Sequence, residues 1–228
     1  MKFSIFDLDQ TLLPIDSGEL WSRWLAERIE PEKTKALTAE IERHAAAYRE
    51  GAMDAEAFVR FQCGLLARAP RAKLQSWRQE FLESVVAPHV TAAARGLLRE
   101  RREAGFTLVL ATGTHRFVTA PIAEMLGIEH LAAAEPEVGA DGSFTGRCRG
   151  SHSYGKGKLR LVEALLSRLL DGCWEAMEAV EAWSDSINDL PLLEWAASAK
   201  SGRPVAVNPD ARLRRRALER GWEIRTLN

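Results

Sequence analysis

Three apolar runs in this 228-residue chain stop on groups that belong in water. Residues 2–7, KFSIFD, reach Asp7, and a second carboxylate follows at Asp9 within IFDLDQTLLP. FTLVLAT ends at Thr112, and VEAWSD ends at Asp185, with Asn188 and Asp189 just behind it. Short apolar runs bounded by turn signals read as buried strands. Two aspartates one residue apart repel each other, and each loses hydration on burial, so a strand that ends this way needs a compensating partner.

The spacing between these runs sets the architecture. From Ser17 to about Val86 every segment has helical periodicity. SGELWSRWLAERI opens on a serine cap, PEKTKALTAEIERHAAAYREG stops at Gly51, and MDAEAFVRFQCGLLARAP and RAKLQSWRQEFLESVV are parted by Pro70. After Pro88, strands and helices alternate: a helix at about 89–104, FTLVLAT, a helix at about 116–126, HLAAAE, a hairpin at VGADGSFTGRC, and a helix after Gly157. VEAWSD, a short helix in NDLPLLEWA, PVAVN and a last helix from Pro209 complete the order. This pattern predicts an α/β fold, a doubly wound parallel sheet with an inserted helical unit. The expected division is a core of residues 1–14 and 88–228 and a helical cap of residues 15–87.

Ligands of such sheets bind beyond the carboxyl ends of the strands, which is where Asp7, Asp9, Thr112, Asp185 and Asp189 fall. Lys158, at the start of a helix, is expected beside them. Mg²⁺ would supply the missing compensation, because it takes oxygen ligands and turns carboxylate repulsion into shared attraction.

Composition removes several alternatives. Lys+Arg 31 against Asp+Glu 32 leaves a net charge of −1, so no basic field points to nucleic acid. The cluster Arg212–Arg216 reads as one solvated helix face. Cys63, Cys148 and Cys173 form no CxxC pair, which suits reduced thiols. With no signal-peptide pattern and no long apolar span, a cytoplasmic location and no membrane partner are expected. GSHSYGK fits the start of a phosphate-binding loop, but Gly157 stands where that loop needs Ser or Thr. None of the five histidines pair at metal-ligand spacing, although His115 lies near Thr112. Trp21 and Trp24, at helical spacing, are read as packing residues in the helical insertion rather than as a stacking platform for substrate.

The motifs DLDQT, LATGT, GKGK and SDSINDLPLL, in this order, resemble those of the haloacid dehalogenase superfamily. The helical insertion is similar to a C1 cap, as in the phosphoserine-phosphatase-like members of subfamily IB. The resemblance implies a Mg²⁺-dependent phosphomonoesterase working through an aspartyl-phosphate. It makes Asp7 the nucleophile and Asp9 the general acid and base. Thr112 and Lys158 hold phosphoryl oxygens, although Lys156 is also a candidate for that lysine. The metal falls to the carboxylates of Asp7 and Asp185 and the main-chain carbonyl of Asp9. Thr11, Gly113, Asn188 and Asp189 support phosphate or metal.

The same resemblance bears on substrate. Asp16 matches an acid that holds the substrate amine in phosphoserine phosphatases. Their carboxylate-gripping cap arginine aligns with Gln62, with Arg60 two residues away. Glutamine lacks the charged fork a carboxylate favours, so the expected ligand is a small phosphate ester with an amine, leaning to histidinol phosphate. Phosphoserine is the alternative, followed by a phospholipid headgroup or a non-catalytic role in binding a phosphorylated partner. Oligomeric state is not legible.

Overall fold

β1 (Lys2–Phe6) lies at the middle of a six-stranded sheet in a computed structural model that describes residues 1–150 and 152–227. Its neighbours are β2 (Phe106–Ala111) and β6 (Ala179–Ser184), both parallel to it. Beyond them lie β3 (His130–Ala132) on one side, and β7 (Gly202–Val207) and β8 (Glu223–Arg225) on the other, all parallel. The strand order is β3-β2-β1-β6-β7-β8, so the direction of winding reverses between β1 and β6.

Alternation along each strand divides the core in two. Phe6, Leu108, Leu110, Trp183 and Val205 face one way and pack on α5 (Ala92–Glu103) and α6 (Arg116–Met125). Phe3, Ile5, Val109, Val180 and Ala182 face α7 (Lys156–Leu169), α8 (Leu190–Ser198) and α9 (Ala211–Arg220). Each fully buried side chain of this size contributes roughly 1.5–3 kcal/mol. One buried acid interrupts the first face. Glu181 accepts from Ser4 Oγ at 3.0 Å, Arg101 Nη1 at 3.1 Å and Arg203 Nη1 at 2.7 Å. These partners remove the cost of leaving a buried charge unpaired.

Four helices lie between β1 and α5: α1 (Ser17–Ile29), α2 (Thr34–Glu50), α3 (Ala55–Leu66) and α4 (Arg71–Phe81). The last runs on through a π-helical stretch, Leu82–Val86. Trp21, 1% exposed, meets Phe81 edge-on at 5.3 Å and Phe117 at 6.1 Å. Trp24 packs on Phe81 and under the Arg28 guanidinium. Both are packing residues, as their spacing indicates. The antiparallel hairpin of β4 (Glu135–Val138) and β5 (Phe144–Arg149) turns at Asp141-Gly142, with Gly142 at φ 84°, and lies against α3.

Two details differ from the sequence pattern. α7 starts at Lys156, behind Gly155 at φ 52°, rather than after Gly157. β8 has no counterpart among the expected strands, because it is a three-residue edge strand of mixed polarity, Glu-Ile-Arg. No helix among the described residues is long and apolar enough to cross a membrane.

Candidate active site

The register aligns Phe6 with Leu110 on one side and Trp183 on the other. Asp7 therefore leaves the sheet within one residue of the level of Thr112 and Asp185, at the reversal point of the winding, where open sheets form a crevice. After Asp7 the chain makes one tight turn. The amides of Leu12 and Leu13 both donate to Leu8 O, and Gln10 adopts φ 60°. This turn brings Thr11 back to the strand ends. Its Oγ1 donates toward Asp7 Oδ2 at 3.2 Å and Asp185 Oδ1 at 3.3 Å, and accepts from the Asp185 amide at 3.0 Å.

Lys158, the third residue of α7 and 4% exposed, donates to Asp7 Oδ1 at 2.8 Å and to Asp189 Oδ2 at 2.7 Å. Ser184 Oγ holds the same Asp189 oxygen at 2.7 Å. Lys156 is exposed, so Lys158 is the lysine at the strand ends. Burial alone would lower the Lys158 pKa, but the Asp189 and Asp7 carboxylates raise it above its ordinary value. The ammonium is therefore a fixed cation.

Asp9 is held from two sides. The Ser17 amide donates to its Oδ1 at 2.7 Å and Thr114 Oγ1 to its Oδ2 at 3.1 Å. Thr114 comes from the loop after β2, and its approach depends on Gly18 of α1. A Cβ at position 18 would fall 2.4 Å from Thr114 Oγ1. Thr114 was not among the residues expected here, although the second threonine of LATGT was its only signal. Thr112 itself is fully buried behind the loop, its Oγ1 accepting from the Thr114 amide at 3.1 Å. Gly113 and Thr114 form the cavity wall at that point.

The cavity has a volume of about 510 Å³, within the roughly 300–1,000 Å³ usual for small-molecule sites. Asp7, Asp9, Lys158, Asp185, Asn188 and Asp189 line its sheet end. Burial raises Asp7 to about 6, opposed by Lys158 and reinforced by Asp189. Asp9 rises to about 8 through burial and then the Asp16 charge. Asp185 rises to about 9 through burial, then the Asp7 and Asp189 charges. One lysine does not balance this group, and oxygen donors alone face the surplus.

These residues fit a hard dication. Among the described residues no three His, Cys, Asp or Glu side chains are spaced to hold a metal. A set of two carboxylates, Asp7 and Asp185, completed by a main-chain carbonyl and water remains, and magnesium accepts such a set because it keeps several waters.

The remaining wall of the cavity belongs to the helical insertion. Asp16 caps α1, accepting from the Glu19 amide at 2.7 Å, and lines the cavity beside Glu19. Burial raises its pKa. Arg60 is exposed and stands apart from the cavity lining. This corrects its candidacy: positions 60 and 62 lie about 200° apart around a helix, and it is Gln62 that turns inward, 2% exposed. The Gln62 amide lies behind Gly18, and neither its oxygen nor its nitrogen has a hydrogen-bond partner among the described residues. The core also reaches α2 directly. Arg212 donates to Glu50 O at 3.0 Å and Arg49 O at 3.1 Å, and Asn188 Nδ2 donates to Tyr48 O at 3.2 Å.

Known proteins resemble this chain in sequence and fold. The pattern of the haloacid dehalogenase-like hydrolases matches residues 5–194, which include every strand-end motif. A histidinol-phosphatase of Neisseria meningitidis serogroup C (strain 8013) is 33% identical over 226 residues, 98% of this chain and 97% of that one. A solved structure of a protein of unknown function from Bordetella pertussis Tohama I has a TM-score of 0.87 at 36% identity, covering 100% of this chain and 99% of that chain. A substrate-bound phosphoserine phosphatase complex shares the fold, with a TM-score of 0.67 at 19% identity over 100% of this chain and 93% of that chain. The family's span over all four motifs, together with the acids and lysine gathered at the strand ends, makes this chain a member of the haloacid dehalogenase-like hydrolases and a phosphoric monoester hydrolase.

Proposed function

We propose that the chain hydrolyses a small phosphorylated amine, L-histidinol phosphate first among candidates, through an aspartyl-phosphate on Asp7. The observation that carries this reading is the pairing of two differently held carboxylates at one cavity. Asp7 is tied to a lysine and Asp9 to neutral donors. Such a difference in surroundings separates a nucleophile from an acid.

In the first step an Asp7 carboxylate oxygen attacks phosphorus and the ester P–O bond breaks. Asp9, protonated, gives its proton to the departing alkoxide. In the second step Asp9 takes a proton from a water that attacks the aspartyl-phosphate, releasing inorganic phosphate and restoring Asp7. Lys158 and the loop at Gly113 and Thr114, with Thr112 buried behind it, face the phosphoryl oxygens, where charge spreads in the transition state. Asp189 holds Lys158 for this task, and Thr11 and Asn188 brace the strand ends. Bound between Asp7, Asp185 and the Asp9 carbonyl, Mg²⁺ would neutralise charge on the phosphoryl group.

Residues 15–87 act as the cap that closes over the site, with residues 1–14 and 88–228 as the core. Asp16 faces the substrate amine. Gln62, buried behind Gly18, supplies no cation where a ligand carboxylate would need one, and the relative from Neisseria meningitidis carries the name histidinol-phosphatase. Phosphoserine remains a second reading because Arg49 lines the cavity at its exposed rim. Phosphate release from L-histidinol phosphate and L-phosphoserine, compared by kcat/KM with Mg²⁺, decides between them. A preference of about 100-fold, near 2.7 kcal/mol, for the first supports the reading, and the reverse overturns it.

A further inference from the structure

The insertion contributes a second kind of wall to the cavity. On α2, His44 and Tyr48 are one turn apart, and on α3, Phe58 and Phe61 are three residues apart, so each pair shares a helix face. The two faces meet. The His44 ring lies 5.5 Å from Phe58 and 5.1 Å from Phe61, centroid to centroid, at tilts of 58° and 32°. None of the three is fully buried, and all line the cavity. Half-buried aromatic rings gathered on a cavity wall offer π faces to a ligand.

We propose that His44, Phe58 and Phe61 form a ring-binding subsite that takes an aromatic or heteroaromatic ring on the leaving group, placed so that a cationic amine beside that ring meets Asp16 and Glu19. This assignment rests on the phosphomonoesterase reading and goes beyond it by naming what selects the leaving group.

Four further observations support it. The acids of this half of the cavity both stand on α1, Asp16 at its cap and Glu19 in its first turn. Glu19 Oε1 takes both bonds from Arg23, at 3.0 and 2.8 Å, which leaves Oε2 for a ligand cation. Burial lowers the His44 pKa, so the imidazole stays neutral near pH 7 and does not repel a cation. An aromatic face next to carboxylates is the arrangement that favours a cation attached to a ring over a plain alkyl amine. The cations that line the cavity serve other partners or stand apart from this wall. Lys158 is held by Asp7 and Asp189, Arg212 by main-chain carbonyls of α2, and Arg49 is at the exposed rim.

The test compares four esters: L-histidinol phosphate (ring and amine), 2-phenylethyl phosphate (ring alone), phosphoethanolamine (amine alone) and L-phosphoserine. Wild type and the double variant Phe58→Leu/Phe61→Leu, which keeps apolar volume but removes both rings, are assayed for kcat/KM, with melting curves to establish that the variant folds. In wild type, both ring esters should exceed phosphoethanolamine. In the variant, the ratio of ring esters to phosphoethanolamine should fall about tenfold, as loss of aromatic contacts at a binding site predicts. An unchanged ratio overturns the assignment, and so does a wild-type preference for phosphoethanolamine or phosphoserine. Phosphate release from none of the four would instead overturn the phosphomonoesterase reading, and this subsite with it. Should the double variant fail to fold, His44→Leu alone is held to the same ratio.

Discussion

Lys158 Nζ stands 2.7 Å from Asp189 Oδ2, and Ser184 Oγ bonds the same oxygen. Both charged side chains are more than nine-tenths buried, so the pair was desolvated to bring one fixed ammonium against Asp7. Asp189→Asn keeps shape and removes the charge. Breaking a buried pair from one side costs about 3–5 kcal/mol when nothing replaces it. Asp7 still faces the lysine, so a loss near the lower end, about 3 kcal/mol, is expected in urea unfolding. The kcat should fall about 10²-fold, the loss typical of one misaligned electrostatic group. Unchanged kcat would remove Asp189 from positioning Lys158.

Asp7→Asn should abolish turnover while near- and far-ultraviolet circular dichroism stay native. The amide cannot attack phosphorus, and no other carboxylate shares the position between Lys158 and Thr11. Turnover within tenfold of wild type would exclude the aspartyl-phosphate.

Chelation can be read by stability as well as by activity. The raised pKa values of Asp7 and Asp185 reflect burial and mutual repulsion, which a dication relieves only in the folded state. EDTA should stop phosphate release, and Mg²⁺ should restore it and raise Tm. At 100 times its Kd the ion adds about 2.7 kcal/mol. Asp185→Asn should shrink that rise, and a full rise in the variant would remove Asp185 from the metal set.

Asp16 combines a structural and a recognition role, and two variants separate them. Asp16→Ala loses the α1 cap, costing about 1 kcal/mol, whereas Asp16→Asn keeps a good capping group. Both lose the charge that would meet an amine. KM for an amine-bearing ester should rise in both variants, with p-nitrophenyl phosphate little affected. A stability loss without that split would leave Asp16 as a cap alone.

His115 gives a pH signature of the opposite chemical kind to that of the strand-end acids. Its ring is buried at the start of α6, with Nδ1 lacking a partner among the described residues, and burial lowers its pKa to about 4. Unfolded, it titrates near 6.5, so between these values the unfolded state binds a proton that the folded state refuses. Stability must therefore fall as pH drops through that window, by about 2 kcal/mol at pH 5 relative to pH 8. His115→Gln should lose this component while keeping the rest of the acid limb, as read from urea unfolding at both pH values. Equal pH dependence in both proteins would refute the assignment.

Residues whose position follows from a strand end were legible in the sequence. A short apolar run that ends on Asp fixes where the chain leaves a parallel sheet, so Asp7, Asp9 and Asp185 could be placed before any coordinates. What depends on rotation about a helix could not. Lys156 and Lys158 are two residues apart, and only the start of α7 at Lys156, behind Gly155, decides which turns inward. The same ambiguity separated Arg60 from Gln62 and was resolved by burial on α3. Thr114 was missed for another reason. Its bond to Asp9 spans 105 residues, and its room to approach comes from Gly18. β8, short and half-polar, carries too weak an alternation to be read as a strand.

The hydrogen bonds that hold α2 to the core have one property in common: Arg212 and Asn188 bond the carbonyls of residues 48–50, not their side chains, and the one ring contact beside them among the described residues is Tyr48 on Tyr154. A fastening that reads only backbone is indifferent to the sequence it fastens. The inner faces of α2 and α3 can therefore exchange their side chains to suit a different leaving group while the clasp itself stays the same. Such a molecule can change clientele by replacing its lining, with latch and chemistry inherited intact.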